Sequence, residues 1–336
     1  MPQLLSENDC PNILFVTGKW ADFDPRKGPS DAHHNLFASL EATGLATQTY
    51  FFIDDYLLQN PPPYDPALID QCERERPDVL FISLTRGVDH HASPETLAHI
   101  REHLGIKVVG LFPDTFDTRS AKHIERYSSV LDLALLQDSY TNVLKAIKDT
   151  SKCLPVWTPQ DAATFYPSAS APVIDVSFLG SLARYPGRKL ALGLLKEAGV
   201  SVRVGGGHGE SAVPLDEYAA IMRASKIVVN FARPVFDEDG FQCKGRVFEA
   251  LYSGALLLEQ SNPETRRWLT PGVHYVEFET ERDLLHLTQH YLTDEPARRR
   301  IAEEGHRKAV TAYSATSYWQ LVLDRLAQNP NQVCTV

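Results

Sequence analysis

The chain has 336 residues, 43% of them hydrophobic and 23% charged, with a formal net charge of −10 at pH 7. That length suits two domains, and the apolar fraction is enough for large cores, which excludes a disordered chain. The acidic balance argues against a broad nucleic-acid-binding surface while leaving room for a local basic pocket.

In chain order, NILFVTG (12–18) is a short apolar run ending in glycine and reads as a buried strand. HHNLFASLEATG (33–44) has helical spacing and a glycine stop, and TQTYFF follows as a second strand. ALIDQCERERP is helical and leads into the strand DVLFISL (78–84); PETLAHIREHLG (94–105) leads into IKVVGLF (106–112). DLALLQD (132–138) is a further short strand. Strands alternating with helices at this spacing indicate βα units on a parallel sheet.

From 151 to 172, SKCLPVWTPQDAATFYPSASAP has no period and reads as a boundary. The alternation then restarts with VIDVSFLGS (173–181), a helix over RKLALGLLKEAG and the strand VSVRVGGG (200–207). A helix over PLDEYAAIMRASK, the strand KIVVNFA (226–232), the helix GRVFEALYSG, the strand ALLLEQ and HYVEFET (274–280) complete it, ahead of three terminal helical stretches. The expected organisation is a domain over 1–155, a linker over 156–172, a second domain over 173–312, and a helix and tail over 313–336 packing back on the first domain. Ligands of open parallel sheets bind beyond the carboxyl ends of strands, so two such units suggest a cleft between them.

The five cysteines are scattered without a CxxC pair or zinc spacing, which fits a reducing compartment. The start of the chain lacks the basic and apolar stretches of a signal peptide, and no window approaches a membrane span, so a cytoplasmic protein is expected.

The chemistry-bearing residues gather at strand exits. CKGRVFEALYSGALLLEQ (243–260) opens a helix with Lys244 and Arg246, where first-turn N–H groups and two cations suit a phosphate. Glu249, three residues past Arg246, either accepts from ligand hydroxyls such as a ribose diol or serves as an interhelical ion-pair partner. GGGHG (205–209), comprising Gly205, Gly206, Gly207 and His208 before Gly209, is either an anion-cradling loop or a tight turn. It does not match a dinucleotide fingerprint. SLARYPGRK (181–189) adds Arg184, Arg188 and Lys189 at a basic strand exit that, with Lys244 and Arg246, points to a diphosphate. In the first half, Asp22, Asp24, Asp114 and Asp117 lie at turns after strands, and SLTRGVDHH carries Asp89, His90 and His91. Their spacing fits no standard metal motif, and no metal site is expected.

Across DVSFLGSLARYPGRKLALGLLKEAGVSVRVGGG, LDEYAAIMRASKIVVNFARP and GRVFEALYSGALLLEQSNPETRRWLTPGVHYVEFETERDLLHLTQHYL, the second half resembles the CgeB-like (spore maturation protein-like) glycosyltransferases of the GT-B fold. The resemblance implies an α/β protein with two Rossmann-like domains, parallel sheets facing across a cleft, and a C-terminal helix crossing back. It implies a metal-independent transferase moving a sugar from a nucleotide diphosphate donor, a UDP-sugar in preference or a TDP-sugar, with no other cofactor. Glu249 matches the family's ribose-binding glutamate, while Arg246, Lys244 and Arg184 match basic positions facing the diphosphate. The turn from Gly205 to His208 and the exit from Asn230 would line the donor site.

Many retaining relatives carry two glutamates separated by seven residues. Glu249 fits the second, but Phe241 stands at the first. Inverting chemistry would need a proton acceptor, for which Asp114, Asp22 and His90 are candidates, with Arg246 stabilising the leaving group. The acceptor is a small molecule, a glycan or a protein; nucleic acid is disfavoured, and homo-oligomer formation is left open. An NDP-sugar epimerase or hydrolase, and an inert GT-B-like binding or scaffold protein, are the rival readings.

Overall fold

The computed structural model describes residues 10–30, 32–54, 65–85, 91–115, 118–137, 141–183, 185–206, 213–234 and 240–328. The chain divides into two compact units, residues 1–159 with 315–336 and residues 160–314. Each unit is built on one fully parallel sheet, which explains why its strands read as continuous apolar runs: helices cover both faces.

In the first unit the strands are β1 (Asn12–Thr17), β2 (Thr47–Phe52), β3 (Val79–Ser83), β4 (Lys107–Phe112), β5 (Leu133–Gln137) and β6 (Cys153–Val156). Their order is β2-β1-β3-β4-β5-β6. In the second unit they are β7 (Ile174–Leu179), β8 (Val202–Gly205), β9 (Ser225–Asn230), β10 (Leu256–Gln260) and β11 (Val276–Phe278), ordered β11-β10-β9-β7-β8. Both sheets therefore place the first strand between the second and the third. The direction of winding reverses there, and that switch point is where open α/β sheets hold ligands.

Four elements differ from the sequence reading. The stretch beginning at Ser151 contains β6, an edge strand beside β5 that tolerates Pro155 because an edge has an unpaired side. Helices Thr118–Ser128 and Thr141–Ala146 also flank the first sheet where no helix was expected. The helix after β1 is wound as a π-helix over His33–Ala38 before Ser39–Glu41. At its end the Ser39 hydroxyl donates to the carbonyls of Asn35 and Leu36.

The terminal helix Ala315–Ala327 belongs to the first unit. Its fully buried Trp319 lies 5.8 Å from the Phe15 ring and 5.5 Å from that of Phe81, and its indole N–H donates to Ser39 Oγ at 3.0 Å. The first core gathers Leu14, Val16, Leu80, Ile82 and Val108; the second gathers Val176, Phe178, Ile227, Val229, Leu256 and Leu258.

Candidate functional site at the second switch point

β7 ends at Leu179 and β9 at Asn230, and these neighbours pair in parallel. Helix Gly245–Tyr252 delivers Arg246 to their carboxyl ends. Its apolar face, Val247, Phe248, Ala250 and Leu251, is buried, which fixes the outward direction of the intervening side chains. Lys244 occupies the N-cap, and its side chain makes no capping hydrogen bond, since an ammonium has no acceptor to offer the first-turn amides.

Arg246 Nη1 donates to Asn230 Oδ1 at 2.6 Å, and its guanidinium carbon lies 5.4 Å from the Phe178 ring. A Cβ on Gly180 would stand 2.6 Å from Arg246 Nη2, so the absent side chain is what lets the guanidinium lie against the β7 exit. Arg188, on helix Pro186–Glu197, enters from the other side and is only 6% exposed. It donates to the carbonyls of Ser181 (3.0 Å) and Arg233 (3.4 Å), while its guanidinium carbon lies 3.3 Å from the Tyr185 ring centroid. Burial pushes the Arg188 guanidinium down to about 10, and the Arg246 charge acts in the same direction. The hydrogen-bond acceptors of these two cations are neutral oxygens, and among the described residues neither cation forms an ion pair. Lys244 Nζ adds a third positive charge 6.0 Å from the Tyr185 ring. A guanidinium keeps its charge even in this setting, so the cluster is suited to an anion.

Glu249, one turn beyond Arg246, accepts from the Tyr218 hydroxyl at 2.6 Å. Burial and the adjacent Glu249 charge raise the Tyr218 phenol well above its ordinary value, so it stays a donor. Beneath Arg246, Asn230 Nδ2 donates to Glu259 Oε2 at 2.7 Å, and Asn262 Nδ2 and Thr265 Oγ1 donate to Oε1 at 3.1 and 3.2 Å. Glu259 is 0% exposed. Burial raises it to about 7 against the opposing pull of its three hydrogen bonds and of Lys244.

The structure thus brings Lys244, Arg246, Glu249 and Asn230 to one corner of the second sheet. Gly205 ends β8, paired with Leu179, and Gly206 follows at φ +75°, where a Cβ would press on backbone atoms of Leu179 and Gly180. Arg184, Gly207 and His208 lie outside the described residues, as does His90. Asp114 belongs to the first unit, exposed beyond β4 with a left-handed φ of +56°, and Asp22 sits in a 3-10 turn over Ala21–Phe23 in the same unit. Sequence reasoning placed Arg188 among several basic residues without separating it from its neighbours. It missed Tyr218 and Glu259; the one visible signal for Glu259 was a carboxylate closing the apolar run LLLEQ. Phe241 packs under the Arg233 guanidinium, 4.8 Å from the ring centroid.

Among the described residues no group of three or more His, Cys, Asp or Glu could hold a metal ion, and no helix is long and apolar enough to cross a membrane.

The comparisons with known proteins match this architecture. Anabaena HepE, solved with UDP and glucose, superposes with a TM-score of 0.65 at 12% identity, covering 95% of this chain and 100% of its own. The fold is GT-B. Other GT-B structures align comparably. Sucrose-phosphate synthase from Thermosynechococcus elongatus gives a TM-score of 0.59 at 11% identity over 94% of this chain and 99% of its own. A glycosyltransferase from Rickettsia africae gives 0.60 at 10% identity over 94% and 97%. A family model described as glycosyl transferase-like matches residues 170–324, which include the whole corner from Arg188 to Thr265. No curated protein matches the chain in sequence.

Proposed function

We propose that the protein is a glycosyltransferase whose second unit holds a nucleotide diphosphate sugar, preferentially a UDP-sugar. The observation that carries this reading is the pair Arg188 and Arg246, two guanidiniums that, among the described residues, donate to neutral oxygens at the carboxyl ends of β7 and β9. A diphosphate there would bring negative charge to these cations and accept from the uncapped amides that follow Lys244. In this reading Arg246, Arg188, Lys244 and Arg184 face the diphosphate, and Glu249, oriented by Tyr218, accepts from ribose hydroxyls. Asn230, Gly205, Gly206, Gly207 and His208 line the same pocket.

Catalysis then follows from electrostatics. As the bond between the sugar and the diphosphate breaks, negative charge grows on the leaving oxygen, and fixed cations stabilise it more than they stabilise the ground state. That role is commonly a metal ion's; guanidiniums and a helix terminus can fill it, so the reaction is proposed to be metal-independent. A carboxylate or histidine of the first unit, Asp114, Asp22 or His90, would take the proton from the acceptor hydroxyl in an inverting reaction. The CgeB-like pattern supports the donor grip around Arg246 and Glu249. Phe241, where retaining relatives carry their first glutamate, favours a second reading in which the protein binds donor without transferring sugar.

Calorimetric titration with UDP, TDP and GDP tests the donor site: micromolar binding of UDP is expected, and no binding of any of the three would overturn it. Nucleoside diphosphate release from a panel of NDP-sugars, with and without candidate acceptors, then separates the activities. Release only with acceptor supports the transferase. Release without acceptor indicates a hydrolase, an altered sugar without release an epimerase, and binding without turnover the inert reading.

A further inference from the structure

Glu259 is a buried acidic residue that the donor reading does not use. It is fully buried at the end of β10, one strand away from β9, and every hydrogen-bond partner it has is a donor: Asn230 Nδ2, Asn262 Nδ2 and Thr265 Oγ1. Such a set suits an ionised carboxylate, because a protonated carboxyl would bring its own hydrogen to a shell that is already donating. The amide of Asn230 is what links this carboxylate to the surface. A guanidinium cannot accept, so Asn230 Oδ1 must face Arg246, and Nδ2 must then face Glu259. The carboxylate also holds Asn262, whose Nδ2 donates to the carbonyl of Gln242 at 2.9 Å, two residues before Lys244. One buried group thereby ties both sides of the Arg246 mount: the β9 exit that receives the guanidinium and the loop that launches its helix.

We propose that Glu259 is the positioning residue of the donor site, its ionised carboxylate locking Asn230 and the 242–244 loop so that Arg246 is held for the diphosphate. This deepens the proposed function and rests on it. Glu259 touches no part of a donor; it acts through Asn230. Burial lifts its carboxyl to about 7, so protonation as pH falls through that value weakens the acceptor and loosens the mount. The surrounding charges are Lys244 at the helix N-cap, Arg246 beyond Asn230, Tyr275 and Glu277 on the neighbouring strand side, and Glu264 in the loop after β10. Glu277, the register partner of Glu259, is already held by Arg266 and by the Tyr275 hydroxyl. Lys244 is thus the cation that favours the ionised form of Glu259 directly.

The test is UDP binding by calorimetry on the full-length protein between pH 6 and pH 8.5, comparing the wild type with Glu259→Gln and Arg246→Ala. Ionisation of UDP itself, with a phosphate pKa of about 6, is common to all three proteins and cancels in their ratios. The wild type is expected to bind roughly fivefold or more tightly than Glu259→Gln at pH 8, the ratio falling toward one at pH 6 as the wild-type carboxyl protonates. A ratio of one at every pH, with Arg246→Ala weakened, would overturn the positioning role while leaving the donor site standing. A uniform loss that does not depend on pH would also overturn it, by making Glu259 a packing residue. If the wild type does not bind UDP, the donor reading fails separately, and the ligand-free protein decides the rest. The side-chain resonances of Asn230 and Arg246 are expected to titrate with a midpoint near 7 in the wild type and not in Glu259→Gln. Resonances that stay still would refute the coupling.

Discussion

The two units share a strand order but equip their switch points differently. At the exit of β7, Arg188 and Arg246 converge, and among the described residues their acceptors are neutral. At the equivalent exit of β1 the chain does the reverse. There the Asp54 carboxylate, 2% exposed, accepts from the backbone amides of Lys19 at 2.7 Å and Trp20 at 3.1 Å, so a negative group is bound up in shaping the loop. Lys19 lies 4.8 Å from the Trp20 ring and 4.7 Å from that of Phe52, and Phe52 stacks on Tyr50 at 4.9 Å. One topology thus yields a corner of converging guanidiniums and a surface with aromatic faces. The difference lies in the side chains set at the strand ends and in the loops after them, among them GSLARYPGRK against GKWADF, and not in the strand order.

The largest effect expected on either unit is on stability. Trp319→Ala removes a fully buried indole that packs against both Phe15 and Phe81 and leaves Ser39 Oγ without its donor. Substitutions of this kind cost about 3–5 kcal/mol. Hydrogen exchange should show that loss at β1 and β3 amides while β9 and β10 keep their protection and UDP binding persists. Equal losses in both units would mean that they do not hold their stability separately.

Next comes the contrast between the cations. Arg246→Ala should weaken UDP binding by about 2–3 kcal/mol, roughly 30- to 150-fold, as the loss of a charge-assisted contact to phosphate predicts. Lys19→Ala, at the matching place in the first unit, should change UDP affinity by less than about twofold. Comparable losses from both would remove the distinction drawn between the switch points.

A further difference concerns pH. Glu259 is raised from 4.5 to about 7 in the folded protein, so between those values the native state binds more protons than the unfolded one. The stability this lends is complete below about pH 4.5 and is lost as pH rises through 7. Urea unfolding of the wild type against Glu259→Gln should show that slope in the difference between them, steepest between pH 5 and 7. A flat difference would contradict burial of an ionisable carboxyl there.

What was legible in the sequence follows from distance along the chain. Parallel strands such as LFVT and KIVV announce themselves because both faces are buried, and the Lys244–Arg246 helix start is a local signal. The β6 strand hid because CLPV is short, half-exposed and carries a proline that only an edge permits. The site's support was less visible still. Tyr218 meets Glu249 across 31 residues and Asn230 meets Glu259 across 29, and no spacing rule foretells such pairs. Arg188 could not be ranked above Arg184 or Lys189 until the turn of its helix was known, since burial against Tyr185 is a property of the packing.

The finest comparison is between two glycines that follow the first strand of each sheet. A Cβ at Gly18 would stand 2.9 Å from Phe23 Cε1, and one at Gly180 would stand 2.6 Å from Arg246 Nη2. Each addition forces a shift, but what shifts differs: an aromatic ring in one unit, a guanidinium in the other. The guanidinium is tethered by Asn230, so Gly180→Ala must either break that 2.6 Å hydrogen bond or swing Arg246 away from the β7 exit. Overpacking of this size costs about 1–3 kcal/mol, of which roughly 1 kcal/mol, about fivefold, should reach UDP affinity. Gly18→Ala should destabilise the first unit by a similar amount and leave UDP binding unchanged. In the double variant Gly180→Ala/Arg246→Ala the glycine's effect on binding should vanish, because the group it displaces is gone. If the alanine at 180 still weakens binding in that background, its methyl obstructs the ligand directly, and the guanidinium does not occupy the space in front of Gly180 in the bound protein.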